Sequence, residues 1–379
     1  MQLILTEDQE LLAKTAADWV HEKSPVARIR ELRDRNDADG FSRTLWKEMA
    51  ELGWVGIPFP EAMGGADMGV AELAVILEAL GRHLAPEPFI GNVMLAGGVL
   101  LRAGSAAQQQ AWLPRLCQGD AILALAQQEP RSRFDLNRVA TRAEKAGNGY
   151  RLSGEKIAVL DGASADALLV VARTSGAEDA REGISLFLVE QGPGVRVERQ
   201  QRVDGRNAAL VHLTGAELPA AALVGSEGKG WVPLAQAADA AIAALCAEML
   251  GSMTEAFERT LAYLRDRQQF GVPIGSFQAL KHRAADMFTE IELCRSAVMA
   301  AARAVDEELE EAPRLVSLAK ARCSDTAILV ANEAVQMHGG IGMTDEHEIG
   351  FYLKRARVAE LTLGDAAWHR DRWAMLSGY

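Results

Sequence analysis

The stretch Phe277-Gln-Ala-Leu280-Lys-His-Arg-Ala284-Ala-Asp-Met287-Phe-Thr-Glu-Ile291-Glu-Leu-Cys294-Arg-Ser-Ala-Val298-Met-Ala-Ala301-Ala-Arg-Ala-Val305-Asp-Glu-Glu308 decides the fold. Its apolar positions from Leu280 to Val305 follow steps of 4 and 3 over seven intervals without a miss. That is the repeat of one α-helical face. The segment before it places Ile242, Leu245, Met249, Met253, Phe257 and Leu261 on one face in the same way. A third helix is predicted from about Pro313 to Met337, stopping at Gly339-Gly340, and a fourth from about Glu348 to the C-terminus. Long amphipathic helices with short connections pack as an antiparallel four-helix bundle, here residues 230–379.

Towards the N-terminus the period changes. The linker Gly225-Ser-Glu-Gly-Lys-Gly230 closes a region of short strands and turns. Ala167–Ala172 and Ile184–Val189 are compact apolar runs, Val195–Glu198 alternates, and Gly147-Asn148-Gly149 and Gly192-Pro193-Gly194 have turn chemistry. This is a central β-barrel-like domain, residues 121–229. The first 120 residues read as a helical domain. Thr6 and Gln9 have capping-box spacing, and Leu11, Leu12, Ala16, Trp19 and Val20 follow at helical intervals. Further helices are predicted over Ser42–Leu52 with Gly53 closing, Val70–Leu80 with Gly81 beyond, Phe89–Ala103 after Pro86 and Pro88, and Ala106–Cys117. The fold class is α+β, mainly α, in three domains.

Composition narrows the function. The 379 residues are 49% hydrophobic and 24% charged, as in globular proteins. Forty Lys and Arg against 52 Asp and Glu give a net charge of −12, which argues against a nucleic-acid-coating protein. The four cysteines form no CxxC pair, and the scattered histidines form no metal cluster. The acidic N-terminus lacks the pattern of a signal or transit peptide, and Phe89–Leu101 is too short to span a membrane. A cytoplasmic location is the expectation.

Two stretches carry a resemblance. Arg267-Gln-Gln-Phe270-Gly-Val-Pro-Ile-Gly-Ser-Phe-Gln278-Ala-Leu-Lys-His-Arg-Ala-Ala-Asp286 and Gln336-Met-His-Gly339-Gly340-Ile-Gly342 resemble two signatures of the acyl-CoA dehydrogenase family. Thr6-Glu-Asp-Gln9, Leu113–Asp120 and Glu129-Pro130 fit in order, so the resemblance spans the chain. It implies a flavoprotein in which an acyl-CoA loses its α-proton to a carboxylate and its β-hydrogen, as hydride, to FAD. It implies that Arg267 meets the FAD pyrophosphate, Phe270 the adenosine part, and Gln278 a neighbouring polar group. Gln336, Gly339 and Gly340 would meet FAD from an adjacent subunit, and Gln128 would donate to the flavin. Taken singly, Arg267 also reads as a solvated helix-end charge and the glycine pair as a helix C-cap. An electron-transfer flavoprotein as acceptor and a homo- or hetero-tetramer are implied too.

The departures fall at the catalytic base. The family carries it in a Glu-Gly pair, here Gly364-Asp365, or in the first bundle helix, here Ala241 followed by Ile242. Neither glycine nor alanine takes a proton. Asp365 and Glu248 are the candidate substitutes. Asp365 also reads as the N-cap of a helix from Ala366, and Glu248 as the partner of an arginine on a neighbouring helix. Gln128-Glu-Pro-Arg131-Ser-Arg133-Phe134 replaces a Thr-Glu-Pro-Gly-Ala-Gly-Ser-like segment, and Ala158-Val159-Leu160 replaces Trp-x-Thr. Arg131 and Arg133 are candidates for CoA phosphates, or solvated loop charges. The pattern is similar to partner chains of two-gene members, such as the small subunit of pimeloyl-CoA dehydrogenase. Three readings stand: a dehydrogenase, alone or as half of a heteromer; a non-catalytic FAD-binding or structural subunit; and a flavin monooxygenase or nitroalkane-oxidase-like enzyme on the same fold.

Overall fold

A computed structural model describes residues 4–379; residues 1–3, the start of the acidic N-terminus, lie outside the described residues. Helices precede and follow a central mixed sheet, the mainly α arrangement expected. The helices are α1 Glu7–Lys23, α2 Ala27–Asp34, α3 Arg43–Glu51, α4 Val70–Arg82, a π-helix Phe89–Gly97, α5 Gly98–Ala103, α6 Ala106–Cys117, α7 Trp231–Asp266, α8 Gln278–Asp306, α9 Ala312–His338, α10 Ile349–Leu361 and α11 Ala366–Leu376. The strands are β1 Leu123–Ala126, β2 Arg142–Ala146, β3 Gly149–Leu160, β4 Ala167–Arg173, β5 Ile184–Glu190, β6 Val195–Gln201, β7 Asn207–Pro219 and β8 Leu223–Val224, with a small hairpin of β9 Gln268–Gln269 and β10 Val272–Pro273. They divide into two compact units.

One unit holds the chain up to Glu31, Gly69–Ala85 and Ile242–Tyr379. Its first helix starts on the expected capping box: Thr6 Oγ1 accepts from Gln9 N and Thr6 N donates to Gln9 Oε1. The helix from Val70 runs past Leu80, and Gly81 lies inside it rather than beyond it. The cause is packing. A Cβ on Gly81 would sit 2.1 Å from Glu248 O, and Ser252 donates to Gly81 O at 2.9 Å, so glycine permits close approach of α4 and α7. In α8 the predicted stripe is buried at Ala284, Met287, Ile291, Cys294, Val298 and Ala301. The last predicted helix is two helices, α10 and α11. They break where Leu363 (φ +59°) and Gly364 (φ +113°) turn left-handed, which no helix accommodates.

The other unit holds Leu32–Met68 and Pro86–Ala241. Its sheet runs β6-β7-β3-β2-β4-β5-β8, with β1 parallel to β4. The long β3–β7 pair is antiparallel, with irregularities at Leu152/Ser153 and between Lys156 and Val159. The apolar strand β4 is buried throughout, and β6 stays near the surface. Arg173 at the end of β4 is 1% exposed and donates to the carbonyls of Asn137, Val139, Ser175, Glu178, Ala180 and Glu182, pinning the loop that follows. The single helix predicted over Phe89–Ala103 is a fully buried π-helix followed by α5. Within it Asn92 Oδ1 accepts from Leu123 N at 2.8 Å.

Among the described residues α7 is long and apolar enough to cross a bilayer, although Phe89–Leu101 was the stretch singled out by sequence. The apolar window of α7 is 89% buried inside the protein, as in a core helix. All four cysteines are free and buried.

Candidate functional site

The Arg267 motif folds as a two-residue hairpin directly after α7. Val272 pairs with Gln269, and the two turn residues, Phe270 (φ +55°) and Gly271 (φ +80°), are both left-handed. A tight hairpin turn asks for that geometry; Gly271 supplies it freely, and Phe270 adopts it with its ring 92% exposed. Phe277 meets that ring edge-on at 6.2 Å. Arg267 lies at the hairpin base, exposed. Its backbone donates to Tyr263 O, and its guanidinium has no hydrogen-bond or ion-pair partner among the described residues. Gln278 opens α8, also exposed.

Gln336 is exposed near the end of α9, and Gly339 (φ +62°) terminates that helix. A Cβ added to Gly339 or Gly340 would meet nothing within 4 Å, so the chain leaves this backbone open on its outer side. Its inner side is fixed by His338. That ring is 2% exposed, stacks on Tyr263 at 4.5 Å and meets His347 at 4.7 Å, while Nδ1 bonds Ala334 O. Burial lowers the pKa of both His338 and His347, and the nearby Arg259 charge acts the same way. A permanent cation without a partner, an exposed aromatic ring and an open glycine backbone are the donor set for an anionic dinucleotide, so these residues fit FAD.

In the sheet unit, Gln128 is half-buried just past β1, its carbonyl accepting from Ile157 N at 2.8 Å. A buried ion pair holds this segment. Lys156 Nζ donates to Glu129 Oε1 at 2.6 Å and to Gln127 O at 3.3 Å, and Glu129 accepts from Ala140 N and Thr141 N. Burial brings the Lys156 ammonium down to about 8, against the pull of Glu129. Burial alone would raise Glu129, but Lys156 and the donated hydrogen bonds outweigh it, so its pKa is lowered. Both are charged at neutral pH. Ala158 lies in the β3 irregularity with φ +50° and donates its N–H to Gln200 Oε1. Arg131 is exposed, and Arg133 lies over the Phe134 ring at 5.3 Å.

The two positions at which the resemblance expects a base are Ala241 and Gly364. Ala241 is fully buried in α7, and Gly364 lies in the α10–α11 turn. Asp365 is the N-cap of α11 and accepts from Trp368 N at 2.8 Å. Glu248 is 3% exposed and pairs with Arg355 of α10 at 3.5 Å; Arg355 also donates to Leu84 O. Each candidate is thus engaged in local structure, on a different element.

Matches to family models cover nearly the whole chain: the acyl-CoA dehydrogenase N-terminal domain over residues 6–120, the middle domain over 124–215 and the C-terminal domain over 228–376. The chain belongs to the acyl-CoA dehydrogenase family. Members are oxidoreductases acting on CH–CH donors, and this chain is such an enzyme by descent. It is 32% identical to the mitochondrial isovaleryl-CoA dehydrogenase of Pongo abelii, over 97% of this chain and 88% of that one. Among solved structures, it is 31% identical to a chain of the ChsE4-ChsE5 complex from Mycobacterium tuberculosis, with a TM-score of 0.89 and full coverage of both chains. The FAD complex of PigA shares 25% identity at a TM-score of 0.91, covering 100% of this chain and 99% of that one.

Sequence reasoning missed Lys320 and His369, which pack against Gly364. Lys320 is fully buried and donates to Gly364 O at 2.7 Å, Glu360 O at 2.9 Å and Ser324 Oγ at 3.0 Å. Burial lowers its pKa to about 8. A lysine amid the small residues Ser317, Ala319 and Ala321 was the available signal. His369 gave none.

Proposed function

We propose that this chain is an FAD-dependent acyl-CoA dehydrogenase that works as one half of a heteromer, its catalytic carboxylate coming from a partner chain. One observation supports the reading: Arg267, Phe270 and the Gly339-Gly340 backbone are exposed, while Gly364 and Ala241, where the resemblance expects a base, have no proton acceptor. The description of a ChsE4-ChsE5 complex for a related structure supports an assembly of unlike chains.

Bound FAD supplies the acceptor for the hydride that leaves the acyl β-carbon when the α-proton is removed, giving the enoyl-CoA. Arg267 holds the pyrophosphate by charge, with Phe270 against the adenosine end and Gln278 as a polar neighbour. Gln336 and the Gly339-Gly340 backbone approach FAD from an adjacent subunit, and Gln128 donates to the flavin. Arg131 and Arg133 meet the CoA phosphates in this reading. Asp365 and Glu248 remain structural, so neither abstracts the α-proton. The assembly is a tetramer, delivers electrons to an electron-transfer flavoprotein and is cytoplasmic. The three-domain division at residues 120 and 229 is part of this reading.

The test is anaerobic flavin bleaching by butyryl-, isovaleryl- and octanoyl-CoA. The purified chain is expected to carry a flavin absorbance band, to stay unbleached alone, and to bleach when co-expressed with a homologous chain that has the Glu-Gly pair. Bleaching by the chain alone would overturn the shared site, and absence of flavin from both preparations would overturn the redox assignment.

A further inference from the structure

The turn between α10 and α11 is strained and tightly held. Leu363 and Gly364 are consecutive left-handed residues, and leucine rarely adopts that conformation. Such a pair persists only where its surroundings enforce it. Here they do so from several directions. His369, with 0% exposure, bonds Leu363 O through Nε2 at 3.0 Å, which makes Nε2 the protonated nitrogen. Its Nδ1 then accepts from Ser317 Oγ at 3.3 Å, and Ser317 Oγ accepts from Arg372 at 3.1 Å. Lys320 draws in Gly364 O, and Asp365 caps α11. The same ring fills the space beside Gly364. A Cβ there would lie 2.6 Å from His369 Nε2 and 2.7 Å from Trp368 Cε3.

We propose that His369 is a positioning residue that closes position 364 to any side chain, so that this chain presents a carbonyl-lined turn beside the Lys320 ammonium where its relatives present a base. The inference rests on the shared-site reading above and deepens it. In this chain the turn itself holds position 364 closed. The imidazole fills the space and bonds the preceding carbonyl, while the buried ammonium binds the carbonyl of the position itself. Putting glutamate back at 364 therefore meets the ring before it meets any substrate.

A stability cycle on the full-length holoprotein separates the ring from the backbone. Gly364→Ala is expected to lower Tm by about 5 °C or more. In a His369→Ala background the same change should cost measurably less, the remainder being the left-handed φ and the Trp368 ring edge. If His369→Ala does not fold, His369→Asn keeps a polar group at the Nδ1 end, towards Ser317 Oγ, and removes the Nε2 side of the ring that faces position 364. Additive losses would overturn the proposal. A second arm uses anaerobic bleaching by octanoyl-CoA. Gly364→Glu alone should not bleach. Gly364→Glu with His369→Ala should bleach at a rate that rises with pH through the carboxylate range, because the introduced carboxylate is then the proton acceptor. Bleaching by the single variant, or none by a folded, flavin-loaded double variant, would overturn it. The two readings fail separately. Bleaching by the native chain alone refutes the shared site and leaves the stability coupling intact, whereas additive stabilities refute the role of His369 and leave the shared site standing.

Discussion

Glu248→Ala should unfold the bundle unit at a markedly lower temperature without identifying a base. Glu248 and Arg355 are 3% and 2% exposed, and their charged atoms are 3.5 Å apart. Truncating the carboxylate leaves a guanidinium in the core, where its hydration cannot be regained. Breaking a buried pair from one side costs about 3–5 kcal/mol. For a domain of this size that is a drop in Tm of roughly 6–20 °C. Glu248→Gln keeps an acceptor and should cost about 1–3 kcal/mol. Replacing both residues by methionine should recover much of the loss, because the buried charge is then gone. Thermal unfolding followed by circular dichroism reads the stability, and anaerobic bleaching of the assembled heteromer reads the chemistry. A Glu248→Ala midpoint within about a degree of native would refute the structural assignment. So would a Glu248→Gln protein with native stability that no longer bleaches, since only a base behaves that way.

Other outcomes follow from single features. Arg267→Ala should lose flavin on gel filtration, read as the ratio of flavin to protein absorbance, while the apoprotein Tm stays unchanged because the side chain has no partner among the described residues. His369 is held at about 3 by burial and by Lys320, against an ordinary value of 6.5. The unfolded chain therefore takes up the proton first, and the ring's contribution is fully present above pH 6.5 and is lost as pH falls towards 3. Tm measured against pH should show that slope, and His369→Asn should flatten it. Arg173→Met should release the loop after β4 and speed its hydrogen exchange, at a cost of about 3 kcal/mol or more. Arg173→Lys should rescue little, because an ammonium cannot reach six carbonyls arranged around a planar fork.

Much of the fold was legible because it repeats locally. The stripe from Leu280 to Val305, the Thr6–Gln9 cap and the runs at Ala167 and Ile184 each state their structure within a few residues. The misreadings share a cause. Gly81 looked like a helix stop because nothing nearby in sequence shows the Glu248 carbonyl it must approach. Glu348 to the C-terminus looked like one helix because the left-handed break depends on distant Lys320. The π-helix at Phe89–Gly97 gave no local sign.

The candidate site divides the same way. The family is written in the residue types themselves: an arginine before a Phe-Gly turn and a glycine pair after a helix. What Asp365 and Glu248 do was open on paper, because a carboxylate serves equally as cap, ion partner or base, and only its neighbours in space select among them. Tertiary structure gave one a helix N-terminus and the other Arg355, and it set an imidazole and a buried ammonium around Gly364. Local spacing encodes short-range geometry, whereas the character of an ionisable group is decided by burial and by charges brought in from elsewhere in the chain.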